Sequence, residues 1–285
     1  MERQQGLTLV ELLISLLIVG LLLTFITQLF RGTLVATNTV NFRNDLISEI
    51  QLSQQVISGR LTDAVYVYKP GDGKLNLTAS GETTKNLVGV ANRNSQNWQI
   101  NTDPFVAMIL PPQIPLAACT AASPDGCFRF FAYYAYPRKT LVDAAVIDPS
   151  VEAPNADLDN NDKWIIMEYR RNLVDLSGTF WTPGVSVAGA ATYYQGGSGR
   201  ILADYIQPDG AAGLRFVVTP PTAAGITPRV LGSVQINVTG QLNRTGVDKT
   251  NADGSANPGA VTTITSQSVS VFPRNWVCAA SARPC

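Results

Sequence analysis

The chain has 285 residues, with 21 Lys and Arg against 21 Asp and Glu, and it contains no histidine. A net charge of zero, with charged residues at only 15%, is not the basic balance of a nucleic-acid-binding surface. Without imidazole there is no Ser-His-Asp or Cys-His catalysis and no histidine metal site. No carboxylate or lysine constellation takes its place, so the chain reads as non-enzymatic.

Residues 1–6, "MERQQG", form a short polar leader. A secretory signal carries its small-residue cleavage site after the apolar run. Here Gly6 stands before the run, so a cut at that point leaves the run on the mature protein. Residues 7–30 are long and apolar enough to cross a bilayer, and no charge interrupts them from Leu12 to Gln28. Glu11, just inside the run, is the anomaly. A carboxylate at the centre of a membrane helix costs roughly 2.5–3.5 kcal/mol, and although Glu11 lies toward one end it still requires a partner.

Residues 31–60 continue the helix in amphipathic form. Leu34, Val35, Phe42, Leu46, Ile50, Val56 and Ile57 recur at three- and four-residue spacings, with Arg43, Asp45 and Glu49 between them. A helix from Leu7 to about Ser58 is roughly 78 Å long at 1.5 Å per residue. Gly20 and Gly32 are its expected weak points.

From residue 61 to 285 the pattern is that of a strand-rich body. The segments "FVAMILPP", "FRFFAYYAYP", "KWIIMEYRRNL", "LRFVVTPP", "VLGSVQINVTGQL" and "TTITSQSVSVFP" are β-branched and aromatic, bounded by Pro, Gly or Asn. "ILADYIQPDG" fits a short helix or a strand leading into a turn. The polar stretches 72–104, 143–162 and 243–260 read as surface loops, and Arg138-Lys139 and Arg170-Arg171 as solvated strand ends. The fold class is α+β: a long N-terminal helix packed by its second half on an antiparallel sheet.

The four cysteines lie in two close pairs, Cys119 with Cys127 and Cys278 with Cys285. Three pairings are possible, and local disulfides are the preferred one. They place the body in an oxidising compartment outside the cytoplasm. In "DLDNNDKWIIME", Asp157, Asp159 and Asn161 alternate, Lys163 offers a carbonyl and Glu168 stands twelfth, the oxygen spacing of a calcium loop. Asp162 replaces the glycine such a loop needs, and Glu168 sits in a strand-like segment. An acidic surface turn is the stronger reading. Calcium on Asp157, Asp159 and Asn161 is the weaker, and no other cofactor is indicated.

Gly6, then Leu-Thr-Leu-Val-Glu, then an apolar helix together resemble a type IV prepilin. The resemblance covers about the first 30 residues, and Leu7 stands where phenylalanine is more usual. It implies that prepilin peptidase cuts the Gly6–Leu7 bond on the cytoplasmic side and methylates the new amine of Leu7. It also implies that Glu11, fifth from the cut, docks on the amine of a neighbouring subunit. The implied partners are major and minor pilins, the peptidase, the inner-membrane assembly platform and membrane lipid. The implied location is the bacterial inner membrane and then the pilus surface. "RILADYI" and "SVSVFPRN" are similar to PilW-type minor pilins and to J-type pseudopilins of type II secretion. A membrane-anchored adhesin is the rival from another class, since Trp98, Trp181, Tyr193 and Tyr194 lie in loop-like segments.

Overall fold

A computed structural model describes residues 9–77, 82–89, 95–115, 127–173, 194–208, 213–221, 232–243, 262–274, 277–278 and 283–284. The chain divides into two units, Met1–Asn44 and Asp45–Cys285. One helix, α1 (Leu9–Asp63), runs from the first into the second.

In the first unit the helix is exposed along its apolar run, from Leu9 at 77% to Phe30 at 66%. The few hydroxyls there turn inward on the backbone. Ser15 donates to the Leu12 carbonyl, Thr24 to that of Gly20 and Thr27 to that of Leu23. Such back-bonding satisfies each hydroxyl within the helix, which an apolar solvent demands. Gly20 leaves the helix unbroken.

In the second unit Leu46, Ile50, Ile57 and Leu61 are buried, following the expected helical stripe. Ser53 and Gln54 interrupt it and are buried too. Gln54 resolves its own burial by donating from Nε2 to the carbonyl of Gln267, 3.2 Å away. Phe42, placed in the stripe by its spacing, is 38% exposed.

The body is an antiparallel sheet. Its strands are β1 (Tyr66–Val67), β4 (Phe105–Leu110), β5 (Phe128–Pro137), β6 (Trp164–Leu173), β7 (Tyr194–Ile206), β8 (Leu214–Thr219), β9 (Ser233–Asn243) and β10 (Thr262–Val271). They run in the order β1-β4-β5-β6-β7-β9-β10, with β8 also paired to β9. Two small ribbons complete it: β2 (Lys74–Asn76) with β3 (Asn97–Gln99), and β11 (Val277–Cys278) with β12 (Arg283–Pro284).

Strand β5 is buried from Phe130 to Tyr136, which explains its unbroken run of apolar and aromatic residues. On one face the Arg60 guanidinium of α1 lies 4.0 Å from the Phe131 ring centre. On the other, Trp98 packs against Tyr134 at 4.8 Å and stacks on Phe105 at 5.5 Å. The sheet is thus a middle layer, with α1 above and the β2–β3 ribbon below.

Three expectations need correction. Residues 72–104 are not simply a surface loop, because the polar side chains surround a ribbon whose Leu75, Leu77, Trp98 and Ile100 point into the core. Residues 143–147 continue a helix, α2 (Arg138–Ile147). Arg138 is fully buried rather than solvated, for a reason given below.

The helix meets the sheet where β9 has no side chain. A Cβ built on Gly240 would lie 2.5 Å from the Ile50 methyl Cδ1 and 2.9 Å from Leu46 Cδ1. Gly240→Val should therefore lift α1 from the sheet and cost about 1–3 kcal/mol, the usual range for overpacking. Gly240→Ala should cost less, since both neighbours are flexible side-chain ends. Chemical denaturation of the two variants against the parent checks the order.

Candidate functional site

The calcium-like turn is built around a cation that belongs to the chain. Asp157 precedes a 3-10 turn, Leu158–Asn160, which leads into β6. Arg138 Nε donates to both carboxylate oxygens of Asp204 on β7, at 3.1 and 3.0 Å. Its Nη1 donates to the Asp157 carbonyl at 3.4 Å and to Asn161 Oδ1 at 3.2 Å. Its Nη2 donates to the Asn155 carbonyl. Carbonyls, an amide oxygen and a carboxylate are the donor set of a calcium site, and here they hold a guanidinium.

The Asp157 carboxylate is engaged as well. Its Oδ2 accepts from Asn160 Nδ2 at 2.8 Å and from the Tyr205 hydroxyl at 3.3 Å. The Tyr205 ring covers the guanidinium at 5.2 Å. Asp159 contributes its carbonyl to Asn243. Glu168 lies far along β6 in another network, paired with Arg60 at 2.5 Å and accepting from Tyr133. The spacing therefore does not converge as a metal shell. Among the described residues no group of three acidic or cysteine side chains is placed to hold a metal ion.

Burial raises the carboxyl of Asp204, while the Tyr205 amide and Arg138 pull it back down. Burial also pushes the Tyr205 phenol up to about 12, with Asp204 and Asp157 adding to the effect. Glu49 of α1 accepts the Asp204 amide through Oε1 at 2.6 Å. That bond ties helix, sheet and turn into one polar cluster. Sequence reading missed the cluster because its members lie in α1, α2, the turn and β7. The local signs were a basic pair, Arg138-Lys139, and a separate acidic turn further along the chain.

At the other end of the chain, Glu11 is exposed in the first turn of α1, where a helix favours negative charge. It opens a 22-residue apolar stretch, Leu9–Phe30, with mean hydropathy 2.8 and none of it buried. Gly6 and Leu7 lie outside the described residues. Residues 1–27 match the family model described as the prokaryotic N-terminal methylation motif. The N-terminus is that of the type IV pilin and pseudopilin family. No curated protein and no solved structure matches the chain. The similarity is confined to the N-terminal segment, and the body is described by its own geometry alone.

The motif and the single apolar helix that follows it support a pilin-like chain anchored by its N-terminus, with a C-terminal domain beyond the helix. Other pilins are its expected class of partner. Of the aromatics considered for ligand binding, Trp98 is fully buried and donates from Nε1 to the Thr84 carbonyl at 3.0 Å. It is a core residue. Trp181 and Tyr193 lie outside the described residues.

Cys127 is buried and disulfide-bonded. Cys119 and Cys285 lie outside the described residues, and Cys278 is placed by its backbone in β11. We propose the local pairs Cys119–Cys127 and Cys278–Cys285. Peptide mapping without reduction should find both loops closed within themselves, and a crossed pair would refute the assignment.

Proposed function

We propose that the chain is a minor pilin, a structural subunit rather than an enzyme. It is inserted in the inner membrane, cut between Gly6 and Leu7, methylated on the Leu7 amine and built into, or used to prime, a type IV pilus-like filament. The observation that carries this reading is the methylation motif running directly into an apolar helix that its own fold leaves uncovered. Such a helix has two apolar environments open to it, lipid before assembly and the helices of neighbouring subunits afterwards. Large size supports a minor role: removing six residues from 285 leaves 279, most of them in the body.

Intact-mass measurement on membrane-extracted protein tests the first step. The expected species begins at Leu7 and carries one added methyl group. Retention of Met1 in cells with active peptidase would overturn the proposal. Recovery of the processed chain in sheared filaments tests the second step, and recovery only with a secretion apparatus would move it to the J-type pseudopilins.

A further inference from the structure

Among the described residues the sheet has two long edge strands, β8 and β10, and a side chain engages the first of them at one residue. β8 is bordered by Asn101, whose carboxamide donates to the Val218 carbonyl at 2.9 Å and accepts its amide at 2.8 Å. Asn101 holds a left-handed φ of 62° there, a conformation asparagine tolerates. The side chain imitates a strand at that one residue, Val218. At the opposite end of the sheet, β1 is two residues long and fully covered.

No described residue guards β10 in this way. It pairs with β9 over ten consecutive residues, Thr262 to Val271, without a register shift. Thr239 of β9 donates its amide to Gly213 on the β8 side, so Val238 and Ile236 direct theirs toward β10. Alternation then aims the backbone groups of Gln267 and Val269 at β9. Those of Ile264, Ser266, Ser268 and Ser270 aim away from it, and no described residue bonds to them. The serine side chains are already engaged, Ser266 with Thr239 and Ser268 with Gln235. The strand "TTITSQSVSV" has no charge, proline or bulge, the devices by which exposed edges are protected. Ile264 and Phe272 stand 55% and 56% exposed beside it.

We infer that β10 is a strand-acceptor edge, completed in the assembled state by an extended, uncharged segment of another pilin-like subunit. This rests on the minor-pilin reading. The edge recognises backbone, with Ile264 and Phe272 setting register, and its lack of charge gives no attraction for polyanions or anionic lipid. An uncharged partner strand meets no desolvated charge on either side.

The test uses the full-length chain in its own membranes, with a photo-cross-linking residue at Ser266 or Ser268 and a control at Val146, which is 81% exposed on α2. The expected result is an adduct from the β10 positions, mapped by mass spectrometry to an extended segment of another chain bearing the methylation motif. Val146 should give at least tenfold less. With the cross-linker at Ser266, Ser268→Pro removes one outward amide and leaves the backbone ladder to β9 intact, so it should reduce the adduct about tenfold while the body stays folded. Ser268→Lys, which keeps strand geometry, should do the same if the proline variant fails to fold. Equal adducts at Val146, adducts only to lipid or to a second copy, or no adduct would overturn the inference. If the chain is present in sheared filaments but β10 yields no adduct, only the edge assignment falls. Absence from filaments removes the minor-pilin reading itself.

Discussion

Glu11→Gln should be inserted and cleaved normally, yet fail to enter filaments. Neutralising the carboxylate makes the apolar helix cheaper to bury, so membrane retention holds or improves. What disappears is an attraction. In a low-dielectric environment a carboxylate and a neighbouring subunit's amine each offset the other's desolvation, and a glutamine supplies no charge to do so. Removing one partner of such a pair leaves an uncompensated buried charge, typically a loss of about 3–5 kcal/mol. That corresponds to a drop of roughly two to four orders of magnitude in incorporation. Glu11→Asp should be intermediate, since it keeps the charge but shortens the reach by one methylene. Co-purification of tagged variants with sheared filaments measures this. Parental recovery of Glu11→Gln would remove the docking role, whereas failure at cleavage would place Glu11 in peptidase recognition.

Arg138→Met is expected to be the most damaging single change in the body. Methionine fills the volume but leaves Asp204 buried without its cation; the Asn155 carbonyl loses its guanidinium donor, and the Asp157 carbonyl keeps only the Asn160 amide. The expected cost is again about 3–5 kcal/mol, a large fraction of the stability of one domain. The double variant Arg138→Met/Asp204→Leu should recover part of it, because no charge is then stranded.

The single variant should also show a characteristic pH dependence. Burial already raises Asp204, and removing Arg138 takes away one influence that lowers it. The native state then holds a proton over a range where the unfolded carboxyl has lost it. The contribution of this carboxyl is therefore fully present below the ordinary carboxylate range and is lost as pH rises through the elevated native value. Thermal melts at mildly acidic and neutral pH should show the larger deficit at neutral pH. A deficit independent of pH would mean that lost packing, not the stranded charge, dominates.

Local pattern made much of this legible. The apolar run, Glu11 and the stripe through Leu46, Ile50 and Ile57 each sit on one helix, where spacing alone fixes which residues share a face. The aromatic and β-branched segments became β4, β5, β6, β8, β9 and β10 for the same reason. What could not be read was long-range. Arg138 looked like half of a solvated pair because its carboxylate, Asp204, is 66 residues away. Trp98 looked like a loop residue because its polar neighbours hide a three-residue strand. The acidic turn had the right spacing for calcium, but spacing cannot reveal that a side chain from α2 fills the space between the oxygens.

That filled space separates this turn from metal-stabilised turns in how it responds to surroundings. A bound ion stabilises in proportion to the logarithm of its concentration over its dissociation constant, so dilution or a chelator removes it. A guanidinium attached through the backbone has no concentration to vary. The turn joining α2 to β6 is therefore insulated from the ionic composition of the medium. Wherever the domain is carried, this cation travels with it as part of its sequence.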